Sequence, residues 1–473
     1  MTKTDKEFQP SLEIALQGAL DHLDGLQPSS VAATKDLAAL RQQLHKPLGD
    51  KPLPADQVIC ELIKDVEGGI LGSAGGRFFA WVIGGSVPAA LAADWLTSAW
   101  DQNAALYACS PAAAVVEEIV GVWLKDLLGL PPAASFALVT GCQMAHVTCL
   151  AAARHALLAR RSWDVERNGL SGAPCVRILT SAMRHGSFLR AIRLLGLGES
   201  SVVQLPTDSE DRLQPDALRE ALATNKKAPT IVLLQAGDIN IGAFDDFEAL
   251  IPCAKQFDAW VHVDGAFGLW AAASSRYRHL MKGAAAANSW ATDGHKWLNV
   301  PFDSGFAFVA DSDSHQASMS HRAAYISHDA AARDQMDWNP EWSRRARGFA
   351  TYAALRQLGR SGVTEIVDRC CHHARSLVAR ISTLPGAQLL WTPVINQGLV
   401  RFLDPNPAAT NEDHDKRTEE VVSAILKTGE AFFGCSTWHG QRAMRISVCN
   451  WQTDESDVDR SVRAVELALS QFH

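Results

Sequence analysis

Asn288-Ser289-Trp290-Ala291-Thr292-Asp293-Gly294-His295-Lys296-Trp297 is a short, strand-like run that hands over to a loop bearing Pro301. Read as a buried strand and its exit, it puts a lysine where open α/β folds bind ligands, beyond the carboxyl end of a strand. Lys296 is flanked by His295 and Trp297, and partial desolvation between two rings disfavours its ammonium form. A neutral lysine amine attacks aldehydes and forms Schiff bases. On this stretch alone, a surface lysine lying over two aromatic neighbours is an equal reading.

Outward from it, the chain from about residue 135 repeats the same grammar. Short apolar runs alternate with helical stretches: Phe136 to Thr140, Val176 to Thr180, Thr230 to Leu234, Trp260 to Asp264, Ser289 to Thr292 and Gly305 to Val309. Runs apolar on both faces suit a mostly parallel sheet covered by helices. The polar residues Gly141-Cys142-Gln143, His185, Asp264 and Lys296 all fall at the carboxyl ends of these runs.

On either side the pattern changes. Residues 10 to 65 show helical periodicity (Leu12, Ile14, Leu16, Leu20; then Val58, Ile59, Leu62, Ile63, Val66) broken by Pro and Ser, which reads as a helical arm. Such a stripe has to be buried, and a second subunit is a natural cover. Arg77 to Val82 reads as an extended aromatic segment, followed by helices from Pro88 to about Trp100 and from about Ala112 to Leu128. Past residue 350 a long helix is expected, with Val363, Ile366, Val367, Cys370, Ala374, Leu377 and Ile381 on one face. Strands near Leu389, Leu399 to Leu403 and Met444 to Val448, mixed with helices, complete a smaller α+β unit. The expected division is an arm over 1–85, a large ligand-binding domain over 86–355 and a small domain over 356–473.

Composition narrows the function. With 473 residues, 47% hydrophobic and 20% charged, the chain can bury several cores. A net charge of −8 and the lack of a basic cluster argue against nucleic acid as a partner. The start, Met1 to Glu7, has no apolar core for a secretory signal, and the apolar run Ala80 to Ala93 is closed by Asp94 short of membrane-spanning length. The expected location is therefore the cytoplasm, with no membrane partner. Ten cysteines without framework spacing read as reduced, mostly buried thiols. Cys370-Cys371-His372-His373 is the one tempting cluster, but adjacent helical side chains diverge by about 100°, so four in a row do not close on one metal. No metal site is expected.

An electron-sink cofactor built on a pyridine ring needs a carboxylate beside the ring nitrogen, amide donors for a phosphate and an aromatic cover. Asp264, the strand-to-helix junction at Gly141-Cys142-Gln143, and His185 supply one of each. In this order they resemble the pyridoxal-phosphate-dependent group II amino acid decarboxylases, the family of aromatic amino acid, tyrosine and glutamate decarboxylases. The likeness runs through Arg77-Phe78-Phe79-Ala80-Trp81, Ser110-Pro111-Ala112 with Glu117, Arg193 to Gly198, His262-Val263-Asp264-Gly265-Ala266 and His295-Lys296-Trp297. It covers most of residues 70 to 360.

The resemblance implies an α/β fold of the PLP-dependent transferase type I (aspartate aminotransferase-like), with a mostly parallel seven-stranded sheet in the large domain. It implies pyridoxal 5'-phosphate (PLP) held by Lys296, Asp264 on the pyridine nitrogen, and Ala266 and His185 on the two ring faces. It places Cys142, Gln143 and His295 around the phosphate and Trp81 in the substrate pocket. Tyr325 matches the mobile-loop tyrosine linked with returning a proton after carbon dioxide leaves; aldehyde-forming relatives carry Phe there. The implied activity is decarboxylation of an L-amino acid, aromatic ones included, by a homodimer with shared active sites. An aldehyde-forming oxidative deaminase, a carbon–carbon lyase and a non-catalytic PLP-binding homologue stay open as alternatives. Departures from the family pattern are Cys142-Gln143-Met144 at the phosphate, Asp238-Ile239 in place of two threonines, Asp293 where Asn is usual, and the small residues Asn103 and Ala105. Arg445 resembles an aminotransferase arginine that grips a substrate carboxylate, a grip a decarboxylase does not need.

Overall fold

The structure, a computed structural model, describes residues 7–321 and 332–471. Seven strands form the main sheet: β1 (Ser135–Val139), β2 (Arg177–Ser181), β3 (Val202–Leu205), β4 (Thr230–Gln235), β5 (Trp260–Asp264), β6 (Ser289–Asp293) and β7 (Gly305–Val309), in the order β1-β7-β6-β5-β4-β2-β3. The pairings from β6 across to β3 are all parallel, and β7 runs antiparallel to both its neighbours. The expected mostly parallel sheet is therefore present. Strand β3 was absent from the sequence reading: it is short, at the sheet edge, and exposes Val203 and Gln204, so it lacks the continuous apolar run that marks the others.

Every residue of β1, β4, β5, β6 and β7 is buried. Alternation along the strands sorts them onto two faces. Val261 and Val263 of β5 join one core with Val232, Leu234, Trp290 and Phe308, while Trp260 joins the other with Leu233, Ala291, Ala307 and the helix Cys142–Ala159. His262 and Asp264 share the Trp260 face, so an apolar strand carries its polar groups toward that helix.

A second, antiparallel sheet holds β8 (Ala387–Trp391), β9 (Gln397–Phe402), β10 (Gly434–Trp438) and β11 (Gln441–Ser447) in the order β10-β11-β9-β8. Before it, the helical stretch Gly348–Ile381 is broken at Gly359, whose φ of 59° is left-handed backbone that glycine adopts without a Cβ penalty. The periodicity from Val363 onward thus belongs to the second of two helical arms. Within it Cys370 and Cys371 are buried, while His372 and His373 both approach Glu455, at 3.2 and 3.5 Å. No two cysteines among the described residues are bonded, and six of the ten are buried.

At the start of the chain, helices Gln9–Gly25 and Ala55–Val66 pack where Gly18 meets Ile63, and no residue of either is buried. Leu12, Leu16, Leu20 and Leu23 stay exposed along one stripe. Arg77 to Val82 is not a strand. Phe78 forms an isolated bridge to Phe432, and Trp81 and Val82 both have positive φ. No helix among the described residues is long and apolar enough to cross a membrane.

One buried ion pair ties the layers together. Arg344 Nη1 donates to Glu117 Oε1 at 2.6 Å and to Ala104 O at 3.0 Å, and Nη2 donates to Leu138 O on β1 at 2.6 Å. Both side chains are essentially unexposed. Removing one partner leaves a buried charge unpaired, which costs about 3–5 kcal/mol. Arg344→Leu is expected to lower the unfolding free energy by that amount in urea titrations, with Arg344→Leu/Glu117→Leu recovering most of the loss; equal losses in the two variants would refute the pairing.

Candidate active site

Parallel strands bring their carboxyl ends to one edge, and the sequence-derived candidates gather there. Asp264 closes β5 opposite Ala291 of β6, and Lys296 lies in the loop just after β6. Cys142 opens the helix Cys142–Ala159 after β1, and His185 caps the helix Gly186–Leu194 after β2. The groups are close enough to perturb one another: Asp264 feels the charges of His185 and Lys296, and Cys142 those of Asp264, Asp293 and Lys296.

The charge state of Lys296 differs from the sequence expectation. Burial does work against its ammonium, but the carboxylates of Asp293 and Asp264 outweigh burial and raise its pKa above the ordinary lysine value. Asp293 Oδ2 is 3.2 Å from Nζ. The expectation weighed the two rings beside Lys296 in sequence, whereas the deciding group lies one helical-like turn before it. Asp293 is itself fully committed: Oδ1 accepts from the Cys142 backbone N–H at 2.5 Å, at the positive end of an 18-residue helix, and lies 3.6 Å from His295 Nε2. The carboxylate that replaces the usual Asn is thus paired on both oxygens.

Burial would protonate Asp264, but His146 first, then His185 and Lys296, hold it well below the usual carboxylate range. His146 Nε2 lies 3.4 Å from Asp264 Oδ2, and the Ala266 N–H donates to Oδ1 at 3.1 Å. Sequence reasoning missed His146, because a histidine in a largely apolar helix reads as core. A signal was available: it stands one turn after Cys142, and the helix covers the face of β5 that carries Asp264. Cys142 Sγ, His146 Nε2 and a carboxylate oxygen of Asp264 lie within 4.8 Å of one another, a spacing a metal could use. Burial and the two carboxylates raise the Cys142 pKa and keep the thiol protonated, which makes it a poor metal ligand.

The remaining candidates have the following surroundings. His185 keeps part of its surface open, its Nδ1 accepting from the Ser187 N–H at 3.2 Å, while desolvation by the groups packed near its ring lowers its pKa. His295 stacks on Phe302 with centroids 4.4 Å apart, and its Nδ1 accepts from the Ser304 N–H. Trp81 is 55% exposed and flanked by Phe78 and Phe432. Tyr325 lies outside the described residues. Asn103 and Ala105 are occupied within their own chain: Asn103 Oδ1 accepts from the N–H groups of Ala105 and Arg344, and Ala105 is buried. Asp238 is a loop cap, accepting from the N–H groups of Asn240, Ile241 and Ala243. Burial pushes its pKa up to about 6 despite those donors. Arg445 donates to Ile239 O at 3.1 Å, and burial lowers its pKa to about 10.

Two further residues seat the lysine loop. A Cβ at Gly84 would come within 2.0 Å of Lys296 O, so only glycine allows that approach. Asn299 Oδ1 accepts from the N–H groups of Gly85 and Trp451, and its Nδ2 donates to the carbonyls of Trp297 and Cys449. The donor set fits pyridoxal phosphate: an amine for the aldehyde, an anionic carboxylate for the ring nitrogen, and a helix N-terminus for the phosphate. Beside that terminus, Gln143 Nε2 is buried with no hydrogen-bond partner among the described residues.

The model of the pyridoxal-dependent decarboxylase conserved domain matches residues 38–402. An aromatic-L-amino-acid decarboxylase of Bacillus atrophaeus is 25% identical over 93% of this chain and 90% of its own. A phenylacetaldehyde synthase of Petunia hybrida is 25% identical over 79% and 76%. The crystal structure of Oryza sativa TDC with PLP and tryptamine shares the fold, with a TM-score of 0.91, 23% identity, and 98% and 97% of the two chains covered. The chain belongs to the pyridoxal-dependent decarboxylase family and is a PLP-dependent amino acid decarboxylase of fold type I.

Proposed function

We propose that the chain converts an L-amino acid to its amine and carbon dioxide with Lys296 as the cofactor-bearing residue. Aromatic L-amino acids are the first substrates to try. The observation that carries this reading is the placement of Lys296, in the loop just after β6, beside Asp264, which closes the adjacent parallel strand β5. When bound, PLP takes up the electron pair left on the α carbon as the carboxylate departs. The chain does the rest. Lys296 Nζ has to lose a proton to react with an aldehyde, and Asp293 Oδ2, 3.2 Å away, holds the amine in place at the end of β6. Asp264, kept anionic, favours a protonated ring nitrogen. His185 would cover the ring, and His185 or Tyr325 would supply the proton that the α carbon takes up. Cys142, Gln143 and His295 would hold the phosphate, Ala266 would lie against the other ring face, and exposed Trp81 would contact the substrate.

Several observations support the finer reading. Similarity to a decarboxylase named for aromatic amino acids supports an aromatic substrate. Similarity to a phenylacetaldehyde synthase keeps aldehyde formation as the second reading, and Tyr325 rather than Phe argues against it. The uncovered stripe Leu12, Leu16, Leu20 and Leu23 supports a homodimer in which the arms pack together. Unpaired, mostly buried cysteines support a cytoplasmic location.

Lys296→Ala is expected to lose the visible absorbance of the PLP-loaded protein and to lower turnover by roughly 10³-fold or more, about 4 kcal/mol at the barrier. Retention of both would reject the assignment. The substrate is found by measuring carbon dioxide release from tyrosine, tryptophan, DOPA, histidine, glutamate and 2,4-diaminobutyrate. With that substrate, Tyr325→Phe should exchange amine for aldehyde and begin to consume oxygen; an unchanged product profile would remove Tyr325 from the mechanism. Light scattering should give twice the chain mass of 51.2 kDa, and Leu16→Asp with Leu20→Asp should shift it toward a single chain. A wild-type mass of one chain would sink the dimer.

A further inference from the structure

Behind Asp264 runs a line of buried side chains that the reaction above leaves unused. Trp260 Nε1 donates to Ser289 Oγ at 2.9 Å, and Ser289 Oγ lies 2.9 Å from His262 Nδ1. His262 Nε2 lies 2.9 Å from His146 Nδ1, and His146 Nε2 faces Asp264 Oδ2. Trp260, His262, Ser289 and His146 have no exposed surface. The fold sets this line up directly. Trp260, His262 and Asp264 alternate onto one face of β5, Ser289 is the register partner of His262 on β6, and His146 reaches down from the helix above. Phe188 closes the remaining side, edge-on to His146 and stacked on His262.

Counting protons gives the line a direction. Burial, with His146 alongside, pushes the His262 pKa down to about 3, so at neutral pH its ring carries one N–H. With that proton on Nε2, His262 donates to His146 Nδ1 and the Ser289 hydroxyl donates to His262 Nδ1. The proton of His146 then sits on Nε2 and points at Asp264. The reverse order would aim a His146 lone pair at an anionic carboxylate. Asp264 is faced by His146, His185, Lys296 and Cys142, and His146 by Asp264, His262 and Cys142, whose Sγ is 3.5 Å from Nε2 and 3.9 Å from Asp264 Oδ1. Only the His146 contact is anchored from behind by a chain of buried donors.

We propose that His146, oriented by His262, Ser289 and Trp260, is a positioning residue that fixes the carboxylate of Asp264 against the cofactor's ring nitrogen. It acts through Asp264 and touches no reacting atom. The proposal rests on the pairing of Asp264 with that nitrogen, and the test separates the two. Wild type, His146→Leu and His146→Gln are each loaded with PLP and with its 1-deaza analogue, in which C–H replaces the ring nitrogen. With PLP, His146→Leu should lower kcat by roughly 10–100-fold, as loss of an outer-shell partner commonly does. It should also move the pH titration of the bound cofactor's absorbance to lower pH, because the ring proton loses support. His146→Gln, which can still donate to Asp264, should recover part of both. On the deaza cofactor the two proteins should turn over equally. An equal penalty on both cofactors, or an unmoved titration, overturns the role of His146. A wild-type enzyme indifferent to the deaza replacement overturns the pairing of Asp264 itself. If His146→Leu fails to fold, Ser289→Ala gives the same comparison, with a several-fold effect expected on PLP and none on the analogue.

Discussion

Two carboxylates and one ammonium share a nearly dry pocket at the carboxyl edge of the main sheet, and their mutual compensation is what the site depends on. Buried alone, Asp264, Asp293 and Lys296 would each be driven toward neutrality. Together they compensate one another: Asp293 pairs with Lys296 and a helix N-terminus, and Asp264 is kept anionic by His146, His185 and Lys296. The parallel sheet makes this possible because it delivers residues distant in sequence to a single edge. The apolar strands on both faces keep water out and so strengthen each attraction.

Much of this was legible in the sequence. Runs such as Trp260 to Asp264 and Gly305 to Val309 announce strands because both faces are buried, and β7 matches its expected bounds. Strands β3 and β10 escaped because each has partly exposed residues throughout most of its length, which leaves no sustained apolar signal. Lys296 and Asp264 could be singled out by position and motif. The ionisation of Lys296 could not, since it depends on where Asp293 points. His146 was hidden for a related reason: an imidazole inside an apolar helix has meaning only once the strand beneath it is known.

The departures from the family pattern sort by the same logic. Asp238 supplies acceptors to three backbone N–H groups of its own loop, so the loss of two hydroxyls there is answered by a self-contained turn. Arg445 reaches from β11 to that turn, which ties the smaller sheet to the loop after β4. Gln143 differs in kind, since its buried Nε2 has no hydrogen-bond partner among the described residues. A side chain that is costly to bury unpaired marks the place where a non-protein anion belongs.

The approach of Gly84 to the Lys296 carbonyl, with Asn299 bonded to Gly85, Trp451 and Cys449, joins three distant stretches of chain at one point. Residues that lead out of the arm are therefore part of the mounting of the lysine. A split of this polypeptide into two complementing fragments would keep its catalytic loop in register only if the cut spared the Gly84 junction, because a break there frees the lysine's support on one side.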